Sequence, residues 1–104
     1  MAIGAPPSRR EIRTRMKVPV ELCSFENVIY EVAYTVNVSP HGARILTKNL
    51  WQSNQRLTVR PVQGKLCSTA RVAYCRSVES GSFAIGVELG QPTADWPELQ
   101  KRSA

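Results

Sequence analysis

The stretch that decides the fold runs from residue 28 to residue 42 and reads VIYEVAYTVNVSPHG. Its even-numbered positions from Val28 to Val38 are all apolar or aromatic, and polar residues such as Glu31 and Asn37 lie between them. A period of two is typical of a strand with one buried face, because successive side chains point to opposite sides of a sheet. We therefore predict the strongest strand of the chain here, with the apolar stripe packed in the core and Asn37 on the opposite face.

A turn follows this strand directly. Ser39-Pro40-His41-Gly42 places Ser first, Pro second and Gly last, which a type I turn prefers because Pro presets φ at the second position. Asn37 and the Ser39 hydroxyl would stand beside the turn with little side-chain bulk in front of them, so a polar ligand could approach. By itself this stretch predicts only a tight turn.

Five further stretches favour strands. They begin at Val18 (edge-like because of Pro19) and at Ala43, include Leu57 and Val59, and run from Leu66 to Arg76 and from Phe83 to Leu89. Gly86, inside the last of these, indicates a close backbone approach or a bulge. Six short antiparallel strands without a long helical pattern predict an all-β protein, either a small β-barrel or a sandwich.

The chain length of 104 residues fits one domain with one modest core. We expect a flexible leader over residues 1–7, followed by a domain over residues 8–97. Within it, residues 8–17 would form an extended arm and residues 18–90 the barrel. Residues 98–104 would be a short tail, with one helical turn starting at Pro97.

The positive charge of the chain, +6 in total, is unevenly placed. The arm carries five cations, Arg9, Arg10, Arg13, Arg15 and Lys17, against Glu11, and no carboxylate occurs between Val32 and Val78. Any one of these cations could simply solubilise a small β domain, but together they favour an anionic partner. Because the arm has almost no apolar anchors, we expect it to be mobile until it meets negative charge.

Composition also bounds location and chemistry. No run of apolar residues approaches the length of about 18 that a membrane span needs, and the N-terminus lacks the features of a secretory signal. Three cysteines, Cys23, Cys67 and Cys75, are an odd number without a C-x-x-C pair, which favours reduced thiols in the cytoplasm.

Catalytic and metal-binding patterns are missing from the sequence. His41 is the single histidine, and it is expected to serve as a turn residue. The sequence has no phosphate-binding P-loop, no dinucleotide fingerprint and no nucleophile elbow, and the middle of the chain offers no paired carboxylates. We therefore predict a binding module that is not an enzyme and that has no metal site and no cofactor.

Two short motifs carry a resemblance to a known family. The arm contains R-x-x-x-R from Arg9 to Arg13, and residues 37–42 match [D/N]-x-S-x-x-G. In this order the motifs resemble the two signatures of the PilZ domain, the bacterial receptor module for cyclic di-GMP, and the likeness covers roughly residues 8–96. The resemblance implies a six-stranded antiparallel barrel whose arginine arm folds over the ligand.

The resemblance also implies the ligand and its contacts. They would be Arg9, Arg10, Arg13, Asn37, Ser39 and Gly42. Arginine suits cyclic di-GMP because its planar fork can grip phosphate, read a guanine edge or stack on a base. Ligand binding would order the arm and so signal to a protein partner in trans, since no second domain is visible in the chain.

Two alternatives remain open at this stage. A PilZ-like domain could serve as a protein adaptor without nucleotide, although the complete motif pair argues against it. A small nucleic-acid-binding barrel is less favoured, because such proteins stack bases on exposed aromatic side chains. Most aromatic residues here lie on apolar stripes or near the termini, where we expect core packing.

Overall fold

Seven strands make up the described part of the chain, which in this computed structural model comprises residues 12–26, 28–63, 67–92 and 96. They are β1 (Thr14–Arg15), β2 (Pro19–Ser24), β3 (Tyr30–Ser39), β4 (Gly42–Thr47), β5 (Arg56–Pro61), β6 (Ser68–Ser77) and β7 (Phe83–Leu89). All pairings are antiparallel, and β2 to β7 close a barrel in the order β3-β2-β5-β6-β7-β4-β3. The predicted six-stranded antiparallel barrel is confirmed, and β1 is an additional strand beside β3.

The barrel interior is filled by inward-facing residues of β2 to β7 and by residues outside the strands. Its largest fully buried side chains are those of Trp51, Trp96, Leu22, Ile45, Leu57 and Ile85. The two tryptophans differ from the aliphatic residues in carrying a polar atom, and their indole nitrogens are buried without a hydrogen-bond partner within the described residues. The expected leader, the tail over 98–104 and the helical turn from Pro97 lie outside the described residues.

The edge position that Pro19 suggested for the first barrel strand is wrong. β2 pairs with β3 on one side and with β5 on the other. Pro19 is the first residue of β2, a position at which proline is tolerated inside a sheet. The alternation of Val18, Val20 and Leu22 as buried residues is confirmed.

The predicted orientation of the β3 stripe is wrong for its first half. Tyr30, Val32 and Tyr34 are exposed on the outside of the barrel, whereas Ala33 and Thr35 face inward. The cause is a bulge, because two steps along β3, from Thr35 to Asn37, match one step along β4, from Ile45 to Arg44.

The extra residue at the bulge, Val36, reverses the alternation, so Val38 is buried as expected and Asn37 points outward. Tyr34 and Asn37 therefore lie on the same outer surface rather than on opposite faces.

A second bulge interrupts β6. Val72 pairs with Val87 and Tyr74 pairs with Gly86, so Ala73 is the extra residue. Ala70, Val72 and Tyr74 would share one face of a regular strand, but the first two are buried while Tyr74 points outward across β7. The two bulges turn one side chain each, Asn37 and Tyr74, toward the same side of the barrel.

The arm is anchored more closely than its composition suggested. Thr14 and Arg15 pair with Val38 and Asn37, and Met16 is buried. The Thr35 hydroxyl donates a hydrogen bond of 2.5 Å to the Met16 carbonyl and accepts one of 2.8 Å from the backbone N–H of Val18. From residue 14 onward the arm is thus part of the sheet.

Candidate functional site

One row of outward residues crosses four barrel strands and defines the site. Asn37 of β3 is opposite Arg44 of β4, which is opposite Gly86 of β7, which in turn is opposite Tyr74 of β6. Arg15 of β1 extends the row on the far side of Asn37. We call these five residues the polar row.

Arg13 meets the polar row at Asn37. Its Nη1 donates a hydrogen bond of 2.9 Å to the Asn37 side-chain oxygen. Because asparagine is neutral, this contact orients the guanidinium without cancelling its charge, so Arg13 can still attract an anion. The two motifs noted in the sequence therefore touch, through Arg13 and Asn37, whereas Arg9 and Arg10 lie outside the described residues.

The predicted turn closes the β3–β4 hairpin beside the polar row. Ser39 pairs with Gly42, and Pro40 and His41 form the two-residue connection. Positive φ angles occur in the described chain at Asn54, Ser80 and Gly81, so neither connecting residue has one. The connection is thus distinct from the mirror-image hairpin turns that need positive φ, in agreement with the predicted type I turn.

The two small residues that flank the turn are tightly enclosed. The Ser39 side chain is buried, and its hydroxyl donates to the Gly42 carbonyl at 3.4 Å. A Cβ on Gly42 would stand 2.2 Å from the backbone oxygen of Val87, so β4 can approach β7 this closely only with glycine. The Leu89 N–H donates to the His41 carbonyl at 2.8 Å and fixes the turn against β7.

Tyr74 and Arg44 complete the other end of the polar row, and the sequence analysis did not single out either of them. The Tyr74 ring lies across Gly86, where a Cβ would be 2.2 Å from the ring carbon Cε2. Arg44 donates a hydrogen bond of 3.3 Å to the Tyr74 hydroxyl, and the Arg76 guanidinium lies 5.2 Å from the ring centre. Gly86 was the sequence feature that pointed to this contact, because the Tyr74 ring is the group that approaches the backbone closely there.

A surface cleft of about 390 Å³ lies beside the polar row and is lined by two of its members, Gly86 and Tyr74. Its lining includes Arg13, Ser39, His41, Gly42, Tyr74 and Glu88. A cleft of this size is within the range that holds small-molecule ligands, which runs from about 300 to 1,000 Å³. Glu88 is the carboxylate of this lining, and its charge is offset by an ion pair with Arg71.

Charge is compensated unevenly over the barrel. Arg60 and Arg71 are ion-paired with Glu21 and Glu88. Around the polar row, by contrast, Arg13 contacts an amide, Arg44 contacts a phenol hydroxyl and Arg76 contacts an aromatic ring. The neutral partners leave a net positive field at the cleft.

The expectation that most aromatic residues pack in the core is only partly correct. Trp51 and Trp96 are buried, but Phe25, Tyr30 and Tyr34 are exposed. Arg56 lies over the Phe25 ring and Lys17 over the Tyr34 ring, at 5.9 and 4.9 Å from the ring centres. Exposed rings beside cations remove one of the arguments against a nucleic-acid-binding barrel.

Two kinds of feature are absent from the described residues. In that part of the chain no three His, Cys, Asp or Glu side chains lie close enough together to hold a metal ion. Nor does it include a helix that is long and apolar enough to cross a membrane.

Comparison with known proteins agrees with the barrel fold. A solved structure, that of the Bacillus subtilis inhibitor of motility MotI/DgrA, superposes with a TM-score of 0.65 at 17% sequence identity. The match covers 88% of this chain and 46% of that one, so the chain spans about half of the MotI/DgrA length. No curated protein sequence matches. The family model of the PilZ domain matches residues 7–100, nearly the whole chain, and the protein therefore belongs to the PilZ domain family.

Proposed function

We propose that this chain is a receptor for cyclic di-GMP, with the ligand bound in the cleft along the polar row. The observation that carries the proposal is the contact between Arg13 and Asn37, which joins the arginine motif of the arm to the Asn-x-Ser-x-x-Gly turn. Membership of a cyclic di-GMP receptor family supports the same ligand. The proposed contacts remain Arg9, Arg10, Arg13, Asn37, Ser39 and Gly42, to which we add Arg44 and Tyr74.

The chemistry of the cleft suits a ligand with two phosphates and two guanines. Arg13, already oriented by Asn37, would grip a phosphate through two parallel N–H donors. Arg44 and Tyr74 offer a guanidinium fork and an aromatic ring, which can read a guanine edge or stack on a base. Arg9 and Arg10, which precede this segment by only a few residues, would close over the ligand from the arm.

Signalling would follow from ordering of the first part of the arm. Residues 14–16 are anchored on β3, so ligand binding has to immobilise only the residues before them. A newly ordered basic segment beside the barrel would create or hide a contact surface for a protein partner in trans. In this role the chain is a cytoplasmic adaptor rather than an enzyme.

Calorimetric titration with cyclic di-GMP tests the proposal. The wild-type chain should give saturable binding, and Arg13→Ala should weaken it by about 10- to 100-fold, as expected for the loss of a charge-assisted hydrogen bond. The affinity of the Arg13→Lys variant should lie between those of the wild type and Arg13→Ala, because lysine keeps the charge but lacks the planar fork of donors. An Arg9→Ala, Arg13→Ala double variant should abolish binding, while GMP and GTP should give no heat.

The matched control is Lys48→Ala, which removes one exposed positive charge away from the cleft lining. Equal weakening by Lys48→Ala and Arg13→Ala would show that only overall charge matters. No heat with a folded wild-type protein would overturn the receptor proposal and favour the alternative of a nucleotide-independent adaptor.

Nucleic acid binding is the second candidate, since exposed Tyr34 lies beside Lys17 on a basic protein. Titration with single-stranded oligonucleotides at several salt concentrations separates it from the first. A strand that contacts many cations should lose affinity steeply as salt rises, whereas a compact dinucleotide should show a shallow slope. Tight oligonucleotide binding with a steep slope and no binding of cyclic di-GMP would favour this candidate.

A further inference from the structure

Four apolar side chains form a continuous surface on the outside of the barrel, apart from the cleft. Tyr30, Val32, Tyr34 and Leu46 are 59%, 48%, 45% and 44% exposed. The first three alternate along β3, and Leu46 of β4 is directly opposite Tyr34. Neighbours of this kind lie about 5 to 7 Å apart, so the four side chains touch or nearly touch. We call them the outer apolar face.

The outer apolar face is larger than the barrel fold requires. The β3 bulge turns these residues outward, and smaller inward residues, Ala33 and Thr35, serve the core instead. A monomeric protein seldom exposes several large apolar side chains together unless they bind something. Aromatic residues in particular are enriched at protein interfaces.

Positive charge surrounds this face. Lys17 lies over the Tyr34 ring. Arg76 of β6 lies in the same cross-strand row as Leu46 of β4, with Ala84 of β7 between them. The carboxylate on this surface, Glu21 opposite Val32, is already ion-paired with Arg60. A binding partner would therefore meet an apolar centre with a positive rim.

We propose that the outer apolar face docks a protein segment that presents apolar side chains flanked by carboxylates. Apolar contacts would bury Tyr34, Val32 and Leu46, and the partner's Asp or Glu side chains would pair with Lys17 and Arg76. This surface and its partner do not depend on cyclic di-GMP, so the proposal stands or falls separately from the ligand proposal.

Other occupants fit less well. A second copy of the chain, docked through the same face, would offer no free carboxylate to Lys17 and Arg76, because Glu21 of this face is already ion-paired with Arg60. An anionic membrane or a nucleic acid carries negative charge over its whole contact surface, including the part opposite Glu21 beside Val32, whereas a protein segment can confine its carboxylates to Lys17 and Arg76. Val32 and Leu46 are aliphatic and give bases no ring to stack on.

A displayed library of short random peptides, selected against the immobilised full chain, tests the proposal. We expect enriched peptides to combine aromatic or aliphatic residues with Asp or Glu. Tyr34→Glu and, separately, Leu46→Glu should weaken the selected synthetic peptides by about tenfold or more, because both contacts lie at the centre of the face. Lys17→Gln should weaken them less and reduce the salt dependence of binding.

The matched control is Phe25→Glu, which places the same new carboxylate on an equally exposed aromatic position away from the face. It should leave peptide binding unchanged, and circular dichroism should show that every variant is folded. Three peptide results would overturn the proposal: no enriched sequence, enrichment of basic peptides, or equal weakening by Phe25→Glu.

The same variants identify the other occupants. Self-association in sedimentation, binding to phosphatidylglycerol vesicles or binding to a single-stranded oligonucleotide would each overturn the proposal if Tyr34→Glu abolished it. Because none of these assays contains cyclic di-GMP, their failure would leave the receptor proposal intact.

Discussion

The polar row and the outer apolar face are neighbours on the same strands but differ in almost every chemical respect. Asn37 and Tyr34 are only three residues apart in β3, and Arg44 and Leu46 are two apart in β4. The polar row holds cations on neutral partners beside a cleft, whereas the outer apolar face exposes rings and aliphatic groups. One extra residue, Val36, separates the two regions and allows both to face outward.

This difference shows that a bulge can let two parts of one strand present different surfaces. Before Val36, β3 pairs with β2 on one side and, at Tyr34 and Thr35, with β4 on the other, and it exposes its large side chains. After Val36, it pairs with β1 and β4 and leads into the turn. Bulges are known to redirect side chains next to functional sites, and the second bulge, at Ala73, does the same for Tyr74. Substitutions at the bulge, at Gly42 and Gly86 and at the edge of the outer apolar face should therefore distinguish the two regions.

Deleting Val36 should have the largest effect. Without the extra residue, Thr35 and Asn37 become consecutive and keep their faces, but the bend of the bulge is lost, and so is the hydrogen bond of 3.2 Å from the Met16 N–H to the Val36 carbonyl. Because Met16 is buried and β1 has to move with the straightened strand, we expect the free energy of unfolding in urea to fall by about 3 kcal/mol or more.

Val36→Thr is the length-preserving control for the deletion. It keeps a β-branched residue at the half-buried bulge and should change stability by about 1 kcal/mol or less. Wild-type stability in the deletion variant would show that the bend at Val36 and the hydrogen bond to Met16 do not stabilise the barrel.

The two glycines of the site should respond unequally to alanine. A Cβ at Gly42 meets the backbone oxygen of Val87, which can move only if β4 and β7 separate, so Gly42→Ala should cost about 3 kcal/mol. A Cβ at Gly86 meets the ring of Tyr74, a side chain that can rotate away, so Gly86→Ala should cost about 1 kcal/mol. Chemical denaturation of both variants measures the difference.

A double-mutant cycle sharpens this result. Tyr74→Ala removes the ring that obstructs residue 86, so the Gly86→Ala and Tyr74→Ala substitutions together should cost less than the sum of their separate effects. Tyr74→Ala should give no such relief to Gly42→Ala. Equal costs for the two glycine variants, or strict additivity at residues 86 and 74, would contradict the geometry of the polar row.

The sequence predicted the strands and the turn well, because both leave a strong local pattern. The alternation in β2 and the residues Ser39-Pro40-His41-Gly42 needed no tertiary information. The outward orientation of Tyr30, Val32 and Tyr34 could not be predicted, since the even positions of β3 are apolar on both sides of the bulge. The extra residue at the bulge switches the even positions from the outer to the inner face, while the apolar pattern of the sequence continues unchanged.

The site was predictable only as far as its motifs extend. Arg13 and Asn37 were named, and they are in contact. Arg44 and Tyr74 are 30 residues apart and meet only because β4, β7 and β6 are adjacent in the barrel. Gly86 marked the close approach, but nothing in the sequence identified which ring would fill the space.

The smallest expected effect concerns Tyr30, at the end of the outer apolar face. Partial desolvation and the nearby Glu21 carboxylate raise the pKa of Tyr30 above its ordinary value of about 10. Glu21→Gln should lower this pKa, because it removes the negative charge and leaves Arg60 unpaired beside the phenol. A titration followed by NMR of the tyrosine ring carbons, assigned with Tyr30→Phe, measures the change.

The sign of the linked stability effect follows from the raised pKa. The folded state favours the neutral phenol, so this contribution is present below the unfolded pKa and is lost as pH rises through the folded pKa of Tyr30. Glu88→Gln, which breaks the other ion pair at Arg71, is the matched control and should leave the Tyr30 titration unchanged. If both variants shifted the titration equally, the effect would reflect the net charge of the protein. A shift with Glu21→Gln alone would show that Glu21 acts locally at the edge of the outer apolar face.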